Sequence, residues 1–288
     1  MFANFLIGLR EGLEASLVVG ILVAYLVRTE RRHLLSKVWV GVGIAIVISL
    51  AFGAILTLGP QGLGFEAKEA IGGFLSIVAV GLVTWMIFWM AKNARAMRGE
   101  LEGSMERAIS VGSGAVVAMA LLAVGREGLE TAMFLWASIE SAGSTTGPVL
   151  GAILGLAAAV VLGVLMYRGA VRINLRAFFQ WTGVFLVVIA AGVLSYGVHD
   201  LQEAGILPGI HNLAWDVSAQ VPPTSVIGTL LKAIFNFSAQ TTVLEAVAYF
   251  AYLIPVMTFF VRTAFFPQRK QPDAAPSSAA DSTALASA

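Results

Sequence analysis

Along the chain, apolar runs of about twenty residues alternate with short segments that collect most of the charged side chains. Such runs match the length a helix needs to cross a bilayer core, so each is read as a transmembrane α-helix. They lie near residues 2–27, 38–58, 70–91, 109–139, 148–167, 178–198 and 243–262. The predicted fold class is therefore all-α and polytopic, with about seven transmembrane helices. The first run carries Arg10, Glu11 and Glu14 and has no basic segment before it, the pattern of a retained helix rather than a cleaved signal peptide.

The connections sort by basic content, and topology follows that bias. Arg28, Arg31, Arg32 and Lys37 follow the first helix, Lys92, Arg95, Arg98 and Arg107 the third, Arg168, Arg172 and Arg176 the fifth, and Arg262, Arg269 and Lys270 the seventh. Fourteen basic residues thus fall on one side, only Lys68 and Lys232 on the other, and Arg10 and Arg126 inside helices. The basic side is cytoplasmic, which puts the N-terminus outside and the C-terminus inside. Trp39, Trp85, Trp89, Trp136 and Trp181 fall near predicted helix ends, where amphipathic rings favour the membrane interface.

A self-match adds internal order: Arg10-Glu11-Gly12-Leu13-Glu14 recurs as Arg126-Glu127-Gly128-Leu129-Glu130. The offset of 116 residues carries the first helix onto the fourth. Three-helix units enter the membrane in opposite directions, so residues 1–91 and 109–200 form an inverted pair of repeats, followed by an outer connection (201–242) and a seventh helix (243–262). Inverted repeats are a transporter architecture with the substrate site where the repeats meet. In the outer connection, residues 224–237 are read as a short amphipathic or re-entrant helix behind Pro222 and Pro223. The end of the chain, 263–288, is rich in Ala, Ser and Pro and is read as a disordered cytoplasmic tail after a transmembrane domain of 1–262.

Composition narrows the class. Hydrophobic residues make up 58% and charged residues 12% of 288, with a mean hydropathy of +0.85, which excludes an ordinary soluble domain. A net charge of +1 gives no argument for a nucleic-acid partner. Cys is absent, which removes thiolate metal sites, and no H-E-x-x-H or G-x-S-x-G string is present, so an intramembrane enzyme is not expected.

The chemistry lies in the repeated triplets. Each intramembrane charge costs ~2.5–3.5 kcal/mol near the bilayer centre, so six together cost roughly 15–20 kcal/mol, a load that implies use. Arg10 with Glu14, and Arg126 with Glu130, are spaced for i, i+4 pairing, which leaves each motif net negative. If the two helices meet, Glu11, Glu14, Glu127 and Glu130 offer a hard cation its preferred oxygen ligands, with Arg10 and Arg126 balancing charge when the cation is absent. Gly12 and Gly128 permit either close helix approach or local unwinding. Glu245 either adds a carboxylate to this cluster or meets water at the interface. His199, Asp200 and Glu203 either capture a metal at the pathway mouth, with His211 and Asp216 nearby, or terminate a helix through hydrogen bonds. Met86 and Met90 read as packing, and Gly151 with Gly155 as close helix contact.

The doubled Arg-Glu-Gly-Leu-Glu string resembles the oxidase-dependent iron permease family, and His199-Asp200-Leu201-Gln202-Glu203-Ala204-Gly205 is similar to its bacterial EfeU branch. The resemblance spans about residues 1–262. It implies a multi-pass protein of the cytoplasmic (inner) membrane whose motif carboxylates bind iron, as Fe³⁺, during passage, with iron as substrate and no permanently bound cofactor. It also implies extracytoplasmic oxidase partners, in bacteria a haem peroxidase and a cupredoxin-like protein. The rival readings are a proton-coupled transporter of another cation or solute and a membrane anchor for an oxidase.

Overall fold

The structure is a computed structural model that describes residues 1–59, 64–93, 97–142, 145–170, 174–222, 225, 227, 228, 231 and 237–266. Its helices are α1 (Phe2–Arg28), α2 (Leu35–Leu58), α3 (Phe65–Asn93), α4 (Met97–Val111), α5 (Ser113–Ala142), α6 (Thr146–Tyr167), α7 (Leu175–Glu203) and α8 (Val243–Phe265). A two-stranded antiparallel hairpin, β1 (Leu213–Asp216) with β2 (Gln240–Thr242), lies in the connection between α7 and α8. The long helices coincide with the apolar runs to within a few residues. Residues 263–265, expected in the tail, continue α8, because Ala264 is buried against the core. From residue 267 the expected tail lies outside the described residues, as does most of the helix expected over 224–237.

Five helical segments among the described residues are long and apolar enough to cross a membrane: Arg32–Leu58, Phe65–Ala91, Thr146–Tyr167, Ala177–Glu203 and Val243–Phe265. Their outward faces are apolar, as Ile46, Val47, Leu50 and Ile55 on α2 and Val160 and Val161 on α6 show. That surface requires an apolar solvent. Helices α1 and α5, of 27 and 30 residues, are as long, but every 18-residue stretch of either keeps at least three charged side chains.

Packing is pairwise. Helix α1 lies on α6, α2 on α5, and α3 on α7, while α1 and α5 meet centrally and α8 covers α7 and α3. Glycines set the first two contacts. Gly151 faces Met1 and Asn4, Gly155 faces Phe5 and Leu9, and Gly163 faces Ser16, so α1 and α6 run in the same direction. Likewise Gly41 meets Val117, Gly125 meets Ala45 and Gly128 meets Ser49, so α2 and α5 are parallel. Both motif glycines serve close approach, Gly12 on Ala159 of α6 and Gly128 on Ser49 of α2, and α1 and α5 remain helical through them.

Helix α4 was not foreseen in its connection, being too polar for an apolar run. It buries Met105 and Ala108 beneath α1 and α5. Its Glu106 accepts from Arg31 Nη1 at 2.8 Å and from the Tyr25 hydroxyl, and these two donors hold its carboxyl below the ordinary value. Trp136, expected at the interface, is instead buried in the core with Phe134, Ile7 and Leu186, whereas Trp39 and Trp181 are exposed. Met86 and Met90 are buried as packing residues.

A Cβ at Gly155 would lie 2.3 Å from Phe5 O and 2.7 Å from Leu9 N, both backbone atoms that cannot step aside. Gly155→Leu is therefore expected to destabilise the protein by at least about 1–3 kcal/mol, read as a lower melting midpoint in detergent. Gly20→Ala, with nothing within 4 Å, is expected to leave that midpoint close to wild type.

Candidate functional site

Helices α1 and α5 touch where their repeated strings lie, because each string places a glycine against the flanking helix and turns its acids toward the other. Among the described residues, Glu11, Glu14 and Glu127 bring carboxylate oxygens within 4.8 Å of one another, all three side chains being buried. Arg10 is 1% exposed and reaches Glu14 Oε1 at 3.2 Å and Glu11 Oε1 at 3.6 Å through its two terminal nitrogens. Even so, both oxygens of Glu11, Oε1 of Glu14 and Oε2 of Glu127 are buried without a hydrogen-bond donor. Three mutually close carboxylates with orphaned oxygens repel one another in a medium that screens poorly. A cation relieves that repulsion.

The second motif is built differently. Glu130 Oε1 accepts from Arg126 Nε at 2.9 Å and its Oε2 is buried without a donor, so the fourth expected ligand is half paired and stands outside the 4.8 Å group. Arg126 is 35% exposed and lies over the rings of Trp85 and Trp89, 5.1 and 4.9 Å from their centres. Among the described residues, Arg10 meets one ring, that of Phe179, at 6.0 Å.

The remaining expected residues gather elsewhere. His199 sits on the last turns of α7, within the helix rather than beyond it, with Nε2 3.3 Å from Glu203 Oε1 and Nδ1 3.0 Å from Glu245 Oε1. Glu245 thus joins His199, not the motif carboxylates. It also caps α8: its Oε1 accepts from the Thr242 N–H while the Thr242 hydroxyl accepts from the Glu245 N–H, both at 3.2 Å. The Thr242 hydroxyl donates in turn to Gln202 Oε1 at 2.8 Å, tying the start of α8 to the end of α7. The spacing Thr242-x-x-Glu245 before an apolar run is the sequence signal for this cap.

Asp200 is 2% exposed, turns toward Gly72 of α3, and keeps Oδ1 without a donor. A cavity of about 570 Å³ opens beside His199 and Glu245, walled by Tyr196, Tyr249, Trp215 and Phe237. Asp216 accepts from Ser218 N–H, Ser218 Oγ and Gln240 Nε2, which hold its carboxyl below the ordinary value. It secures the hairpin, while His211 is exposed in the turn ahead of it.

Residues 1–267 match the model of the iron permease FTR1 family. The chain belongs to the iron permease FTR1 family. It is 39% identical over 264 residues to the ferrous iron permease EfeU of Escherichia coli O6:H1, covering 91% of this chain and 95% of that one. It is 39% identical over 263 residues to the protein of the same name from Shigella sonnei, with 90% and 95% covered. The Yersinia pestis protein of that name is 38% identical over 272 residues, with 93% and 95% covered. No solved structure is detectably similar. Family membership and the apolar helices together make this a multi-pass inner-membrane protein, and its relatives are named permeases, which are transporters rather than enzymes.

Burial separates the two motif arginines. Arg10→Gln leaves buried carboxylates unbalanced and is expected to cost about 3–5 kcal/mol. Arg126→Gln removes a part-exposed pair and its ring contacts, at less than about 2 kcal/mol. Melting midpoints of the two purified variants should fall in that order; equal losses would contradict the burial argument.

Proposed function

We propose that this chain carries iron from outside to cytoplasm through the carboxylates of its two motifs. The observation that carries the reading is the buried group Glu11, Glu14 and Glu127, which bring one oxygen each within 4.8 Å of one another and leave four of their oxygens without donors. Iron is collected at the outer end of α7 by His199, Asp200 and Glu203, with Glu245 holding the imidazole in place. It then passes to the central carboxylates, where Glu130 completes the set and Arg10 and Arg126 limit how tightly the cation is held. Release requires that limit, since a site that binds too well does not conduct.

The transport unit is the domain 1–262 with seven spans, α1 and α5 included: two inverted repeats, α1–α3 and α5–α7, with α8 added. Support comes from the packing. Exchanging α1 with α5, α2 with α6 and α3 with α7 turns the parallel α1–α6 contact into the parallel α2–α5 contact and leaves the α3–α7 contact in place. Rocking of one repeat against the other exposes the site alternately. The N-terminus is then outside and the C-terminal tail cytoplasmic. Because the chain lacks Cys, single cysteines test this directly. A cysteine at Lys37 or Arg98 should react with an impermeant maleimide only from the cytoplasmic side, and one at Lys68 only from outside; the reverse pattern contradicts the orientation.

By the family resemblance, the ion that crosses is Fe³⁺ delivered by an extracytoplasmic oxidase, a haem peroxidase with a cupredoxin-like protein. The relatives' name, ferrous iron permease, favours a second reading in which Fe²⁺ itself crosses. Uptake of ⁵⁵Fe into proteoliposomes, with iron held in either state, separates them. Glu14→Ala and Glu130→Ala should each abolish uptake while the protein stays folded in the membrane, and wild-type uptake by either variant would overturn the central site.

A further inference from the structure

The two motifs share one sequence and differ in geometry, and the difference lies in what surrounds their arginines. Arg10 is enclosed and spends its terminal nitrogens on Glu11 and Glu14 of its own motif. Arg126 lies instead against α3. Trp85 and Trp89 are one turn apart there, with ring centres 6.5 Å apart and planes inclined by 33°. The Arg126 guanidinium lies over both, 5.1 and 4.9 Å from their centres, and its Nε donates to Glu130 Oε1 at 2.9 Å, which leaves Glu130 Oε2 buried without a donor. Glu11, Glu14 and Glu127 face one another beside this pair.

A guanidinium beside three buried carboxylates competes with any metal cation for their oxygens, because its planar N–H donors suit carboxylates. Two indole faces offer it an alternative, strongest for Trp among the aromatic side chains. We infer that Trp85 and Trp89 are positioning residues that hold Arg126 off the cation site, leaving Glu11, Glu14 and Glu127 free to take the ion. Neither ring touches the ion; both act through Arg126. The inference rests on the proposed passage of iron through the motif carboxylates. It also gives these tryptophans a role other than interface anchoring: a chain that needed only anchors has no use for a second ring one turn away, stacked over the same cation.

The test is the iron dependence of ⁵⁵Fe uptake by proteoliposomes holding the full chain. Trp85→Leu/Trp89→Leu removes the cradle, and the freed guanidinium falls onto the carboxylates. The half-saturating iron concentration is expected to rise about tenfold, the worth of two partly exposed ring contacts, with the maximal rate retained. Trp85→Phe/Trp89→Phe keeps weaker ring faces and should lie between this variant and wild type. Adding Arg126→Gln to the leucine pair should return half-saturation to that of Arg126→Gln alone, since no guanidinium is left to position. A purely structural role for the rings predicts that the triple variant keeps the defect.

Unchanged half-saturation in the leucine pair, or a triple variant that stays worse than Arg126→Gln alone, overturns the inference. Should the leucine pair fail to fold, the phenylalanine pair decides, with an unaltered half-saturation overturning it. Loss of iron uptake by the wild-type chain under both valence conditions instead strikes the reading on which the inference rests.

Discussion

Everything in this molecule is arranged around carboxylates kept close together and away from water. Glu11, Glu14 and Glu127 face one another with orphaned oxygens, and the one guanidinium enclosed with them, Arg10, leaves charge unbalanced. In a low-dielectric interior such a group is costly. It persists because the surrounding helices are locked: backbone-to-backbone contacts at Gly8, Gly151 and Gly155 bring α6 onto α1, and Gly41 brings α5 onto α2. These contacts keep the acids face to face. The tension is removed only by a proton or a cation.

That constraint also explains the division of labour between the ends of the molecule. The C-terminal end of α7 and the start of α8 are joined by hydrogen bonds, Thr242 to Gln202 and Glu245 to His199, so their polar groups are largely satisfied. Asp200 stands apart there, buried beside Gly72 with an oxygen unmet. The motif carboxylates are thus left unsatisfied, while the polar groups where α7 meets α8 are mostly satisfied.

Much of this was legible before any coordinates. The apolar runs became helices within a few residues because length and continuous hydrophobicity determine a helix in lipid. Three of the four motif carboxylates converge because the helices that carry the repeated string pack against each other, while Glu130 stands outside the group. What the sequence did not disclose was three-dimensional selection between equivalents. Two identical strings gave no hint that Arg10 would be enclosed and Arg126 would lie against α3, since that depends on Trp85 and Trp89, 37 or more residues away. Glu245 was open between two roles and took a third, capping its own helix, although the Thr242-x-x-Glu245 spacing carried the signal. Trp136 is interfacial by position along the chain and is buried because it packs with Ile7, Phe134 and Leu186 in the core. Helix α4 escaped notice because its period is amphipathic and its composition polar, so it reads as a connection.

The central claim is that iron binds at the three converging carboxylates. Iron K-edge absorption on the purified, iron-loaded protein tests it most directly, comparing wild type with Glu11→Gln/Glu14→Gln/Glu127→Gln, substitutions that keep volume and remove charge. The account predicts protein-bound iron in an oxygen-dominated shell in wild type, and loss of that central population in the triple variant. An unchanged amount of bound iron with an unchanged shell in the triple variant would contradict it.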